Sequence, residues 1–110
     1  MNSRQKGKRG ELEAAAALRA AGYEGSRRGQ QFKGTADSPD VVSVLPFHIE
    51  VKLRERVNLH EAMDQAESEA PCGKAPVIYH RKNRTDPLLT MKFSDWIELV
   101  KVVYPPSRYE

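Results

Sequence analysis

The sequence predicts an α/β fold in which a mixed central β-sheet is flanked by helices. An alanine-rich segment near the N-terminus has the composition of a helix. Two neighbouring segments, around Asp40 and Glu50, show the alternation of β-strands. A second helical segment separates them from two later apolar segments of strand length. The predicted element order is therefore α-β-β-β-α-β-β-α, a three-stranded meander followed by a helix that crosses over to a further strand.

The N-terminal half contains the first four elements. A helix is expected over residues 7–21, rich in Ala, Leu and Glu, and Gly22 ends it at a C′ position. Three strands follow at about 23–32, 40–45 and 48–54. A basic loop leads from the first of these strands to Ser38. The last two strands are joined at Leu45-Pro46-Phe47, and we consider them as a hairpin.

The C-terminal half begins with a helix whose N-cap is Asn58 and whose capping-box partner is Glu61. Its core-facing stripe is Leu59, Met63, Ala66 and Ala70. Strands are expected at 76–80, in a central position, and at 88–91. Ser94 is expected to cap a last helix over about 95–103, whose apolar side is formed by Trp96, Leu99, Val100 and Val103.

Length and composition limit the class of protein. The 110 residues are enough for one domain with a modest core, so we expect a single domain over 1–110 with flexible segments at 1–6 and 105–110. No stretch approaches the roughly 20 apolar residues of a membrane span, and no signal peptide is recognised. The single cysteine, Cys72, fits a reducing compartment, and we expect a cytoplasmic protein. A Gly-rich phosphate loop is missing, so no nucleotide cofactor is expected.

Positive charge is concentrated in the N-terminal third. Residues 1–33 carry eight lysines and arginines against three acids, whereas the rest of the chain carries ten against twelve. A basic segment of this kind favours contact with the phosphate backbone of a nucleic acid, although solubilising charge is the alternative. The expected contact residues are Lys6, Lys8, Arg9, Arg27, Arg28 and Lys33.

The strand around Glu50 predicts a metal site. Glu50 and Lys52 lie on one face of this strand, roughly 6–7 Å apart, and a hairpin would place Asp40 beside them. Oxygen ligands from Asp40, Glu50 and the carbonyl of Val51 suit Mg²⁺ or Mn²⁺, and the chemistry that such a site serves is phosphodiester hydrolysis. Lys52 would orient or deprotonate the attacking water, or stabilise the transition state. The alternative is a solvated strand face.

The three histidines offer little to a metal by their spacing. His48 shares the strand face with Glu50 and either touches the ligand or is an exposed strand histidine. His60 and His80 have no partner at the spacing of zinc ligands.

A set of motifs connects these residues to a known family. Lys6-Gly7 is followed by Glu11 four residues after the glycine, and the first helix ends in Gly22-Tyr23. Together with Asp40, Glu50 and Lys52, this pattern resembles the PD-(D/E)xK nuclease superfamily, and within it the archaeal-type Holliday-junction resolvases and their phage-borne relatives. The resemblance rests on motifs over residues 6–53 and on element order alone from 54 to 104.

The resemblance implies a restriction-endonuclease-like core in which Glu11 joins Asp40 and Glu50 around the metal and Lys52 is the catalytic lysine. The family's basic segment, which contacts the scissile backbone, corresponds to Arg27-Arg28-Gly29. The implied activity is Mg²⁺-dependent cleavage of four-way DNA junctions in recombination and repair, in a host cytoplasm if the chain is phage-encoded. Symmetric cutting needs two active sites and hence a homodimer. Candidates for its interface, or alternatively for the core, are Met63, Trp96 and Val100.

Two other functions remain open from the sequence. One is a nuclease for flaps, nicks or single strands, since Gln65 is similar to a glutamine of other superfamily branches, including the virus-type replication-repair nucleases. The other is a catalytically silent DNA-binding module that kept the fold.

Overall fold

The computed structural model describes residues 3–29 and 39–109, and this part of the chain has the predicted order of elements with one short helix added. The helices are α1 (Ser3–Ala20), α2 (Leu59–Glu69), α3 (Phe93–Val103) and α4 (Pro106–Tyr109). The strands are β1 (Arg27–Arg28), β2 (Val41–Val42), β3 (Phe47–Leu53), β4 (Ala75–Arg81) and β5 (Leu88–Met91). Within these residues, none of the helices is both long enough and apolar enough to span a membrane.

The five strands form one mixed sheet in the order β1-β2-β3-β4-β5. β1, β2 and β3 are antiparallel neighbours, which confirms the meander and the hairpin, with Val41 opposite Ile49. β3 and β4 are parallel, from Phe47 opposite Ala75 to Leu53 opposite Arg81, because α2 carries the chain back across the sheet. β5 is antiparallel to β4, so β4 has the interior position that its apolar sequence predicts.

One helix packs on each face of the sheet. On the first face, Ala14 and Ala15 of α1 lie buried against Ile49, Val51 and Val77. On the opposite face, Ala62 and Ala66 of α2 pack on Ile78. Because successive side chains of β3 alternate between the faces, the α2 face also receives His48, Glu50 and Lys52. The predicted polar face of β3 is therefore covered by a helix.

Helix α1 begins earlier than the sequence predicts. It starts at Ser3, so residues 3–6 belong to the helix and do not form a flexible lead-in. The straight-chain residues before Gly10 favour this extension. Glu11 consequently lies well beyond the first turn, where the helix dipole does not explain an acid. At Gly10 an added Cβ would lie 2.8 Å from Val51 Cγ1, so the glycine permits close packing of α1 on β3.

Helix α2 has the predicted N-cap, whereas α3 does not. Asn58 is the N-cap of α2 as predicted, and its Oδ1 accepts the Glu61 backbone N–H at 3.1 Å. Ser94 does not cap α3. The Lys92 carbonyl accepts the first helical hydrogen bonds, from Asp95 and Trp96, so the helix begins at Phe93 without a side-chain cap.

The C-terminal region and the first strand show the largest departures. α3 has no buried residue, and Trp96 is 48% exposed, so its apolar side is not part of the core. Residues 106–109 form α4 where a loose tail was expected. β1 comprises only Arg27 and Arg28 of the strand expected at 23–32, and the part of that strand beyond residue 29 lies outside the described residues, as does Lys33.

Candidate metal centre

The hairpin of β2 and β3 fixes the position of Asp40. The Asp40 backbone N–H donates to the Ile49 carbonyl at 2.9 Å, and its Oδ2 accepts the Val51 backbone N–H at 2.8 Å. The Asp40 residue is buried and its side chain is held against the edge of β3. The N–H and C=O groups of one strand residue point toward the same neighbour. The carbonyl of Val51 therefore points toward the side on which Asp40 lies, as the predicted ligand set requires.

Glu50 is the most strongly perturbed acid of the site. Its residue is 7% exposed. Burial is the largest cause of a rise in its pKa from 4.5 to about 9, followed by the charge of Asp40, a hydrogen bond between the two carboxyls, and the proximity of Glu69. In the chain alone, Glu50 therefore holds a proton at neutral pH. A cation that neutralises this region would release the proton.

Glu11 approaches the same region from α1. Its side chain is 12% exposed, and its Oε1 accepts a hydrogen bond from Arg28 Nε at 3.0 Å. Burial and then the charge of Asp40 raise the pKa of Glu11, while the Arg28 guanidinium opposes the rise. The fold thus brings Glu11 within electrostatic reach of Asp40, and Asp40 into contact with Glu50.

Lys52 lies two residues after Glu50 on the α2 face of β3. It lines a groove between β3 and α2, together with Asn58, Glu61 and Gln65. The alternation of the strand predicts its shared face with Glu50. The structure adds that Gln65 of α2 faces the same groove.

The structure adds two residues to the site, His48 and Glu69, whose positions the sequence does not predict. His48 is fully buried, so its interpretation as an exposed strand histidine is wrong. Its Nε2 lies 3.0 Å from Glu50 Oε1 and 4.0 Å from Glu69 Oε2. Among residues 3–29 and 39–109, His48, Glu50 and Glu69 form the group of three possible metal ligands whose ligand atoms all lie within 4.8 Å of one another.

The signal for Glu69 was present in α2. Ala62, Ala66 and Glu69 follow one another at the i, i+4, i+7 spacing of a single helix face, and the two alanines are buried on the sheet. An acid on a core-facing stripe is unusual, because burying a carboxylate requires a partner. The crossover of α2 over β3 brings this acid to His48 and Glu50.

Comparison with known proteins gives no relative. No family model, no curated protein and no solved structure matches the chain.

The predicted nucleic-acid contacts are divided between two places. Lys6 and Arg9 of α1 line a groove with three residues at the end of β4 and in the following turn, which are Arg81, Asn83 and Arg84. Arg27 and Arg28 lie on β1, where Arg28 pairs with Glu11 and points toward the acidic site. Lys8 is exposed on α1.

Proposed function

We propose that this chain is a metal-dependent DNA endonuclease with a restriction-endonuclease-like core, which hydrolyses phosphodiester bonds in branched DNA, and that its substrate is the four-way junction. The observation that carries the proposal is the burial of Glu50 against the carboxyl of Asp40, with Glu11 close enough to respond to the charge of Asp40. Carboxylates collected in this way repel one another unless a cation binds between them.

The chemistry of the donor set suits a hard divalent cation, and binding would draw Glu11, Asp40 and Glu50 together, since their ligand atoms do not all lie within 4.8 Å of one another. Glu11, Asp40, Glu50 and the carbonyl of Val51 offer oxygen ligands, which are the ligands that Mg²⁺ and Mn²⁺ take in proteins. When bound, such an ion lowers the pKa of a water ligand and neutralises charge on the phosphate. The residues of the chain prepare this position, since the Val51 N–H holds Asp40 in one orientation and Arg28 balances Glu11.

Lys52 is the proposed cationic residue of the site. It lies two residues after Glu50 on the same face of β3, roughly 6–7 Å along the strand, and lines the groove between β3 and α2. There it orients or deprotonates the attacking water, or it stabilises the charge that develops on the phosphate. All three roles fit this position.

The proposed DNA surface combines the site with the basic groove. Lys6 and Arg9 stand on the same helix as Glu11, so the groove lies along the helix that carries an acid of the site. Arg84 adds positive charge, whereas Arg81 donates two hydrogen bonds to Glu13, at 2.7 and 2.9 Å, and is largely neutralised. Lysines and arginines along one side of a protein are the usual contacts to phosphates.

A homodimer is proposed because two nicks require two active sites, and α3 is the surface that suits a second copy. Phe93 and Trp96 stack with ring centroids 5.5 Å apart and are 71% and 48% exposed. Leu88 and Leu89 of the edge strand β5 are also exposed. Exposed apolar side chains on α3 and on the edge strand of the described sheet are surfaces that a second copy would bury, and in a two-fold dimer the same patch is used by both copies.

The nuclease proposal is tested by cleavage of labelled four-way junction, flap and linear duplex, in Mg²⁺ or in EDTA. Wild type is compared with Glu50→Gln, and Glu24→Gln is the control for an exposed glutamate outside the site. We expect paired nicks in the junction that need Mg²⁺ and disappear only in the site variant. Cutting of flaps or duplex instead would support a nuclease but refute the four-way junction as its substrate. Tight junction binding without cleavage in Mg²⁺ or Mn²⁺ would leave the silent binding module.

The dimer is tested by the mass in solution. Trp96→Glu should convert a dimer into a monomer in light scattering, whereas Val44→Glu, at an 85% exposed position in the β2–β3 connection, should not. A monomeric wild type at about 50 μM would refute the α3 interface.

A further inference from the structure

The group formed by His48, Glu50 and Glu69 is not explained by the proposed catalytic site. That site uses oxygen ligands from α1, β2 and β3, whereas this group adds an imidazole and an acid from α2. We propose that His48, Glu50 and Glu69 form a second cation site, which takes a first-row transition ion such as Mn²⁺ or Zn²⁺ in preference to Mg²⁺. The site shares Glu50 with the proposed catalytic centre but does not depend on nuclease activity.

The distances suit a bound ion. Metal bonds of about 2.0–2.2 Å to nitrogen and oxygen place neighbouring ligand atoms roughly 3.0–3.5 Å apart. His48 Nε2 lies 3.0 Å from Glu50 Oε1 and 4.0 Å from Glu69 Oε2. A shift of the Glu69 carboxylate by a fraction of an ångström would complete the geometry. Glu69 is the last residue of α2, where the side chain has room to make this adjustment.

The imidazole determines which ion the site prefers. Mg²⁺ takes oxygen ligands and keeps most of its water, whereas nitrogen ligands select first-row transition ions. His48 is fully buried on β3, so its imidazole lies next to Glu50 at a place that bulk water does not reach. The Glu69 side chain is 20% exposed and marks the side from which an ion and its water ligands enter.

Glu50 connects the two proposed sites. It contacts Asp40 on one side and His48 on the other. A carboxylate with two oxygens can bind two ions at once, as in two-metal phosphodiesterases, where the ions lie about 3.5–4 Å apart. The second ion would therefore lie next to the catalytic ion, on the side covered by α2.

The stoichiometry of Mn²⁺ binding to the full chain tests the proposal. Bound Mn²⁺ is counted from the loss of the free-ion EPR signal at pH 8, for wild type, Glu69→Gln and Glu11→Gln. Asp64→Asn, at an exposed position of α2, is the matched control. We expect about two ions per chain in wild type and control, and about one in each site variant. An excess of Mg²⁺ should displace the ion that depends on Glu11 and leave the ion that depends on Glu69. Loss of the Glu69 carboxylate should lower the affinity for the second ion at least ~100-fold, because losing even a residue that only supports a metal ligand lowers affinity by up to that factor.

A spectroscopic measurement separates coordination by His48 from a hydrogen bond between His48 and Glu50. Pulsed EPR of bound Mn²⁺ should show coupling to an imidazole nitrogen in wild type, and the coupling should vanish in His48→Gln and in Glu69→Gln. Circular dichroism verifies that each variant is folded. If His48 only positions Glu50, no nitrogen coupling appears and the second site is refuted.

The outcomes distinguish this proposal from the proposed function. One ion that depends on Glu11 and not on Glu69 would refute the second site and retain the catalytic metal. One ion that depends on Glu69 and shows nitrogen coupling would support the second site and refute the catalytic metal set. No bound Mn²⁺ at millimolar concentration would refute both.

Discussion

Replacing Glu50 by glutamine should stabilise the metal-free protein, by an amount that grows with pH. Burial beside Asp40 raises the pKa of Glu50 from 4.5 to about 9. The folded chain therefore binds a proton that the unfolded chain releases above pH 4.5, so stability falls as the pH rises through this range. At pH 7 the difference from 4.5 is about 2.5 pH units at about 1.4 kcal/mol each, or about 3 kcal/mol. The Glu50→Gln protein does not carry this penalty.

The assay is urea unfolding in EDTA at pH 5, 7 and 9. The free energy of unfolding of Glu50→Gln should exceed that of wild type by less than about 1 kcal/mol at pH 5 and by about 3 kcal/mol at pH 7, and by more at pH 9. Glu24→Gln is the control and should follow wild type. In Mn²⁺ the order should reverse, because only wild type gains the full binding energy of the ion. Equal stabilities of wild type and Glu50→Gln at all three pH values would show that Glu50 is not buried as a carboxyl.

Three further predictions concern metal affinity, backbone packing and an ion pair. The affinity for Mn²⁺ should rise with pH from about 5 to 9, because the proton on Glu50 must leave before the ion binds. The measurement is titration calorimetry, and an affinity that does not change over this pH range would contradict the prediction. Gly29→Ala places a Cβ 2.0 Å from the backbone carbonyl oxygen of Pro39, so it should lower the free energy of unfolding in urea by about 1–3 kcal/mol. In the control Gly25→Ala the new Cβ meets no atom within 4 Å, and the free energy of unfolding should not change. Arg81→Gln should cost at most about 1 kcal/mol at pH 7 and less at pH 3, because hydrogen bonding to Arg81 lowers the pKa of the partly exposed Glu13 and this contribution is lost as the pH falls through that pKa. Urea unfolding at both pH values is the measurement, and a cost that is the same at both would contradict this pairing.

The central part of the fold could be predicted from the sequence because local patterns there agree with one another. The alternation in β3, the short connection after β2 and the N-cap at Asn58 each indicate one structure, and the fold confirms all three. The same alternation places Glu50 and Lys52 on one face. Pairing of β2 with β3 then places Asp40 beside Glu50, which a spacing of ten residues alone does not establish.

Residues from separate elements could not be placed together in the same way. The burial of His48 depends on the crossover of α2, and a strand pattern does not tell which face a later helix will cover. Glu69 reaches the site only through that packing. The amphipathic pattern of α3 shows that one side is apolar but not what covers it, so the pattern allows Trp96 in the core or in an interface. The structure leaves it exposed.

The acidic cluster at the edge of β2 and β3 is the region where the sequence departs most clearly from what stability favours. An apolar residue at position 50 would pack beneath α2 as Ile78 does. It would also avoid the loss of stability that the raised pKa of Glu50 causes at neutral pH. Replacing buried charged groups by apolar ones is often stabilising, so packing alone does not account for Glu50. A conflict between local stability and residue choice is expected where chemistry is performed. The basic groove and the exposed side of α3 fit the ordinary rules for contact surfaces, and this contrast is the reason that the proposed catalytic chemistry is placed at Glu50 and its neighbours.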